Sequence, residues 1–367
     1  MNPNPLHPTK RLISLDVFRG LTMFLLIAEA SLVYDALLEI SPEGAVLHRF
    51  FLQFTHHEWN GLRFWDLIQP FFMFIVGVAM PFSLNKRLAI SEDRSKVTRH
   101  ILKRCFLLFL FGTGLHCIYS GQVVFELWNV LTQLSFTVLV TFFLLDKGWK
   151  VQLGVSLGLL ALTEILYRAY NPEDPFEHGT NFGNYTDLLL MGKINNGGWV
   201  AINCIPTAAH TIWGAMCGNL LLSSKNDQSK IQLFIIAGLV GLVIGFGLDV
   251  AGITPIVKRI STTAFVFASG GWALLALALF YWLVDVKNTK GWTFPFLIVG
   301  MNSIFIYLFA ETLGSGLNKT LGIFTGGFLG WMGFGEHGLA LVAALASLSA
   351  MWGLCYFLYR KGIFFRI

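Results

Sequence analysis

His56 and His57 stand just before a long apolar run, in a short stretch with Trp59, Asn60 and Gly61. An imidazole is neutral near physiological pH, so at a membrane surface it can take up a proton or attack a thioester carbonyl, which suits acyl transfer. The competing reading is a His-Trp anchor in the interfacial aromatic belt. Asp66 follows one to two turns inside the run, with Arg63 three residues before it and Pro70 four residues after. A local Arg63–Asp66 ion pair would explain the carboxylate structurally. Alternatively, Pro70 frees a backbone carbonyl and loosens the helix, so that Asp66 can orient a histidine or bind a substrate hydroxyl or amine.

Asp16 and Arg19 repeat the three-residue spacing inside the first apolar run. Self-pairing is one reading. In the other, Arg19 and Arg104 supply the guanidinium fork that suits phosphate or pyrophosphate and hold a nucleotide-type carrier at the cytoplasmic face. Asn302, Ser303, Tyr307 and Glu311 share the ninth run, and Asn203, Thr207 and His210 the sixth. Asn302 and Ser303 also fit helix-helix hydrogen bonding. Glu29, His116 and Glu164 are intramembrane groups that belong to no recognisable motif.

The elements that must position these groups are membrane spans. Hydrophobic residues make up 55% and charged residues 13% of the 367 positions, against about 25% charged in soluble domains. Requiring about 20 mostly apolar residues per span predicts an all-α, polytopic membrane protein of about ten helices, organised as one domain over residues 1–367. The runs are Leu12–Tyr34, Phe64–Leu84, Ile101–Tyr119, Leu127–Leu145, Val151–Tyr167, Trp199–Leu222, Ile231–Leu248, Thr262–Val284, Phe294–Leu313 and Leu339–Tyr359. The Gly-rich stretch Thr320–Gly335 is read as re-entrant or interfacial. Lys10, Arg11 and the Ala28-Glu29-Ala30 triplet resemble a signal peptide, but Asp16 and Arg19 interrupt its apolar core, so a retained first span is expected.

Cytoplasmic loops are enriched in Lys and Arg. With both termini cytoplasmic, 18 of the 26 Lys and Arg fall inside, seven outside, and Arg19 within a span. The loop Asn85–Arg104 is the most basic segment. It reads as a retention signal touching anionic headgroups, or as a docking surface for a phosphorylated cytosolic ligand. The scatter of the basic residues argues against a nucleic-acid partner. The five cysteines lack CxxC or CxxH spacing, and no HExxH, GxSxG or GxxxxGK[ST] motif occurs, so no metal site is expected.

Arg11–Gly20 (RLISLDVFRG), the block His56–Gly77, Gly300–Tyr307 (GMNSIFIY) and Tyr359–Ile367 (YRKGIFFRI) resemble the heparan-alpha-glucosaminide N-acetyltransferase family over nearly the whole chain. The resemblance implies acetyl transfer from cytosolic acetyl-CoA across the bilayer to the amino group of a glucosamine-type sugar. It also implies that the histidine three residues before Trp-Asn-Gly, at this chain's position His56, is catalytic. Asp66, Asn60 and Asn302 match family positions and are assigned here to the catalytic set. Arg19, Asp16 and Ser303 match as well, and with Arg104 they are assigned to the acetyl-CoA site. A homodimer is suggested by the resemblance alone. The lysosomal member has an extra N-terminal luminal portion and span; with ten spans expected here instead of eleven, the resemblance points to a bacterial relative in the plasma membrane. Where the family often reads VLQR, this chain has Val130-Leu131-Thr132-Gln133, losing an arginine. The alternatives are an O-acyltransferase of a cell-envelope glycan or lipid, and a proton-coupled secondary transporter.

Overall fold

A computed structural model of the chain describes residues 12–90, 93–333 and 335–365. Lys10, Arg11 and Arg366, which enter the sequence argument above, lie outside the described residues. The described residues form no β-strand. Their helices are α1 Ile13–Ala30, α2 Val33–Ile40, α3 Val46–Phe51, α4 Ile68–Ile90, α5 Arg94–Ser120, α6 Val130–Leu144, α7 Trp149–Tyr170, α8 Phe182–Met191, α9 Cys204–Leu222, α10 Asp227–Val250, α11 Thr263–Phe280, α12 Phe294–Met301, α13 Ser303–Trp331 and α14 Glu336–Arg360. The chain is an all-α, polytopic membrane protein.

Among the described residues, six straight segments are long and apolar enough to cross a bilayer: Phe64–Leu88, Arg94–Ser120, Trp149–Tyr170, Asp227–Val250, Thr263–Val286 and Glu336–Arg360. Two bent pairs, α1 with α2 and α12 with α13, raise the number to eight if each is one span. The two remaining sequence runs are α6, at 15 residues, and α9, at 19. Polar termini mark where the helices begin. The side chains of Asp93, Asn129, Asn181, Asn226 and Thr262 accept backbone N–H bonds at the starts of α5, α6, α8, α10 and α11, satisfying donors that the helix itself cannot.

The ninth run differs from its expectation. Instead of one helix to Leu313, α12 and α13 meet at an 81° bend, and α13 continues to Trp331. Most of the stretch expected to be re-entrant or interfacial is therefore the end of a 29-residue helix. Asn302 makes the break: its backbone leaves the helical region, at φ −122° and ψ 37°. The first run bends as well, by 62°, where Leu32 adopts a left-handed φ of 64°.

The chain forms two compact units. One holds residues 12–15 with His57–Leu62 and Gln69–Lys287, and so carries α4 to α11. In this unit one end gathers Arg87, Arg94, Lys96, Arg99, Lys103, Arg104, Lys147, Lys150 and Lys225, whereas the other has Arg168, Lys193, Lys258 and Arg259. By the rule that cytoplasmic segments are enriched in Lys and Arg, the first end is the one expected to face the cytoplasm. The other unit holds Asp16–His56, Arg63–Ile68 and Asn288–Ile367. Here α1 and α12 approach so closely that a Cβ on Gly20 would lie 1.9 Å from the Phe296 carbonyl oxygen, and one on Gly300 would lie 2.9 Å from that of Asp16. The glycines of two sequence motifs are thus the points where two backbones touch.

Candidate functional site

The second unit presents His56 on a packed frame. Tyr34, Trp65, Ala28 and Ile68 form a buried cluster with Phe54 and Phe64 against it. Phe54 stacks on Tyr34 at 4.8 Å between ring centroids, and Trp65 meets Tyr34 edge-on at 5.2 Å. The Trp65 indole N–H donates to Glu29 Oε1 at 2.8 Å. These contacts fix the 3₁₀ turn Phe64–Leu67, which leads directly into α4. Pro70 explains why this turn is not α-helical, because without an N–H it cannot bond the carbonyl of Asp66 four residues earlier.

Asp66 is held inside that turn with 1% of its side chain exposed, whereas the His56 ring is 38% exposed. Asp66 Oδ1 pairs with His56 Nδ1 at 3.0 Å, and Oδ2 accepts the backbone N–H of Arg63 at 3.0 Å. The Arg63 guanidinium donates to Thr55 Oγ1 at 2.6 Å and to the His56 carbonyl at 2.8 Å. The Arg63–Asp66 contact is therefore a backbone cap, and the side-chain ion pair considered from spacing gives way to it. An ionised carboxylate only accepts hydrogen bonds, so Nδ1 carries the proton, and in the neutral ring Nε2 keeps its lone pair. That tautomer is the one a general base or nucleophile needs.

The other sequence candidates divide between the two units. In the second, Arg19 Nη2 donates to Asp16 Oδ1 at 2.9 Å, so these two pair along α1. Asn302 is fully buried; its Nδ2 donates to the Ile363 carbonyl at 3.1 Å and its Oδ1 accepts from Phe365 N–H at 2.9 Å. The tail after α14 thereby closes on the α12–α13 break. Ser303 is the first residue of α13. In the first unit, Asn60 Oδ1 accepts from Ile256 N–H at 3.1 Å and Gly61 N–H donates to the Ile256 carbonyl at 2.9 Å. Trp59 donates to the Phe176 carbonyl at 3.1 Å and its ring meets His178 at 4.7 Å. The Trp-Asn-Gly triplet is thus a docking strip against the loops around Phe176 and Ile256. Arg104 lies half-buried on α5.

Three groups without a motif acquire partners. Glu29 supports Trp65, as above. His116 Nδ1 bonds Glu126 Oε2 at 2.7 Å, and Lys193 bonds the other Glu126 oxygen. Burial works against the charge of Glu126, but the Lys193 and His116 bonds outweigh it and lower its pKa. Glu164 accepts from Arg168 at 2.9 Å, from Thr254 at 2.7 Å and from Thr263 at 3.0 Å. Alongside, Asp187 accepts from Trp128 at 2.8 Å and from Ala201 N–H at 2.9 Å; burial pushes its pKa up to about 6 against the pull of those two bonds. Apart from Arg168–Glu164, four residues apart on one helix, these pairings join residues 10 to 99 positions apart, beyond the reach of helical periodicity. Spacing pointed to the Asp16–Arg19 pair and to the local His56–Asp66–Arg63 arrangement. Among the described residues no group of three or more His, Cys, Asp or Glu side chains is placed to hold a metal.

Comparison with known proteins gives the same direction as the motifs. The chain is 26% identical to heparan-alpha-glucosaminide N-acetyltransferase of Mus musculus and 24% identical to that of Homo sapiens, in each case over 97% of its own length and 60% of the relative's. It therefore spans about 60% of the length of these curated relatives. Residues 11–216 match the model of the family described as domain of unknown function DUF5009. As that match takes in more than half of the chain, with His56, Asp66 and Arg104 inside it, the protein belongs to the DUF5009 family.

Proposed function

We propose that the protein is a transmembrane acetyltransferase that moves an acetyl group from cytosolic acetyl-CoA to the amino group of a glucosamine-type sugar on the other side of the bilayer. The observation that carries this reading is the His56–Asp66 pair, an exposed imidazole on a buried carboxylate. The resemblance to an N-acetyltransferase along nearly the whole chain supports it. His56 Nε2 attacks the thioester carbonyl; the C–S bond breaks, and coenzyme A leaves as the thiolate. The sugar amine then attacks the acetyl-imidazole, the C–N bond to His56 breaks, and the ammonium proton passes to solvent. In the direct route Nε2 instead takes the amine proton as the amine attacks acetyl-CoA. Asp66 holds the proton on Nδ1 and stabilises the imidazolium in either case.

Arg19 and Arg104 are the proposed phosphate-binding cations of the acetyl-CoA site, with Asp16 fixing Arg19 and Ser303 as a hydroxyl donor. Asn302 and Asn60 are the proposed amide donors to the developing oxyanion. Each is already engaged in a structural bond, so their variants separate anchoring from catalysis. The test is purified protein supplied with acetyl-labelled acetyl-CoA and a panel of acceptors. Label in N-acetylglucosamine supports the reading. Label only in hydroxylated acceptors would indicate O-acyl transfer, and no labelled acceptor would remove the enzyme assignment.

A further inference from the structure

At the basic end of the first unit, Arg87 from α4 reaches α5 and donates to His100 Nε2 at 2.8 Å. A guanidinium has no acceptor, so this ring nitrogen must carry its lone pair, and the imidazole is neutral. Lys103 and Arg104 follow at three and four residues from His100, on the same face of α5, and both act electrostatically on its ring. At the same end Arg94 pairs with Asp146 at 2.9 Å and Lys96 with Asp93 at 3.8 Å. Arg87 thus bonds a neutral ring while the Lys103 ammonium stands exposed on the same face, and an anion beside these two cations would offset their mutual repulsion.

We propose that Arg87, His100 and Lys103, with Arg104 beside them, form a binding site for a terminal phosphate monoester. Two helices supply a guanidinium fork, an ammonium and an imidazole whose Nδ1 carries the ring proton and can donate it. A monoester phosphate offers three unesterified oxygens and a charge near −2 to such a set, whereas a diester offers two oxygens and one charge. Two molecules present this chemistry at a cytoplasmic membrane face. One is the 3′-phosphate of coenzyme A, a source that rests on the acetyl-CoA reading above. The other is a lipid with a monoester headgroup such as phosphatidate.

The experiment compares full-length protein in lipid nanodiscs with its Arg87→Gln and Lys103→Gln variants. Lys103 is exposed, so its replacement leaves the fold intact even if Arg87→Gln does not. Binding of coenzyme A and of dephospho-coenzyme A, which lacks the 3′-phosphate, is measured by calorimetry, and retention of phosphatidate over phosphatidylcholine is measured by lipid analysis. If the site reads coenzyme A, dephospho-coenzyme A binds at least tenfold more weakly to the native protein. Each variant then loses about tenfold for coenzyme A and nothing further for the dephospho form. If the two nucleotides bind alike but both variants lose phosphatidate retention, the monoester is the lipid's. The site is refuted if neither the nucleotide difference nor the lipid retention depends on Arg87 and Lys103. Failure of coenzyme A to bind at all counts against the acetyl-CoA reading, and the phosphatidate measurement still decides the site.

Discussion

Replacing Asp66 by Asn tests the His56 arrangement at its most sensitive point. The Arg63 backbone N–H needs an acceptor where Asp66 Oδ2 now lies, at 3.0 Å. The substituted amide must therefore turn its carbonyl oxygen there and its NH₂ towards His56 Nδ1, which then has to accept. The ring proton moves to Nε2, and the nitrogen that should attack or take a proton becomes a donor. The same change removes a negative charge about 4 Å from the imidazolium formed during transfer, worth ~4 kcal/mol at an effective dielectric of about 20. That corresponds to about three decades in rate, and solvent around the 38%-exposed ring trims it. The expected loss in kcat is at least about 10²-fold, with coenzyme A binding and the melting temperature close to native. The assay is acetyl transfer by purified protein at saturating acetyl-CoA. Activity within tenfold of native would refute the orienting role of Asp66.

Gly20→Ala places a methyl 1.9 Å from the Phe296 oxygen; overpacking of this kind costs about 1–3 kcal/mol, read as a drop of several degrees in the melting temperature of detergent-purified protein, and a native melting curve would contradict the α1–α12 contact. Asn302→Ala removes both bonds to the tail, at about 1–3 kcal/mol for the groups left unpaired. Carboxypeptidase should then attack the C-terminus faster, whereas a hundredfold fall in kcat with an unchanged tail would instead make Asn302 an oxyanion donor. Asp187 has a folded-state pKa raised to about 6, above its unfolded value of ~3.9; the folded state therefore holds its proton more tightly, and stability is gained as pH falls through 6 and lost as pH rises. Protease resistance of the α8 segment should increase from pH 7 to pH 5 in the native protein and not in Asp187→Asn, and an equal pH response in both would refute the assignment. Glu29→Ala should lower kcat through the Trp65 turn while Glu29→Gln, which keeps an acceptor for the indole, restores most of it; equal losses in the two would exclude a positioning role.

Hydropathy was enough to locate the long apolar helices, though not α3 or α8, because a run of apolar residues has few other ways to satisfy its backbone in a bilayer. It could not locate the breaks at Leu32 and Asn302, which depend on tertiary partners: the Asn302 amide is satisfied by Ile363 and Phe365, more than sixty residues away. The His56–Asp66 pair was legible because both groups lie just before the start of α4, and Pro70 marks the turn that holds Asp66. Trp59, Asn60 and Gly61 showed themselves as a motif without showing their task, since the loop around Ile256 that they dock against has no local signature. Glu29, His116 and Glu164 were visible as charges in apolar runs, and only packing reveals that each answers a particular partner.

Sidedness tests the account most directly. Native protein and His56→Ala are reconstituted in sealed vesicles, with acetyl-labelled acetyl-CoA on the side of the basic loops and glucosamine on the other. The account predicts labelled N-acetylglucosamine in the acceptor compartment, unlabelled coenzyme A retained in the donor compartment, and no product from His56→Ala. Product formed only when donor and acceptor share a compartment, or formed equally by His56→Ala, would contradict it.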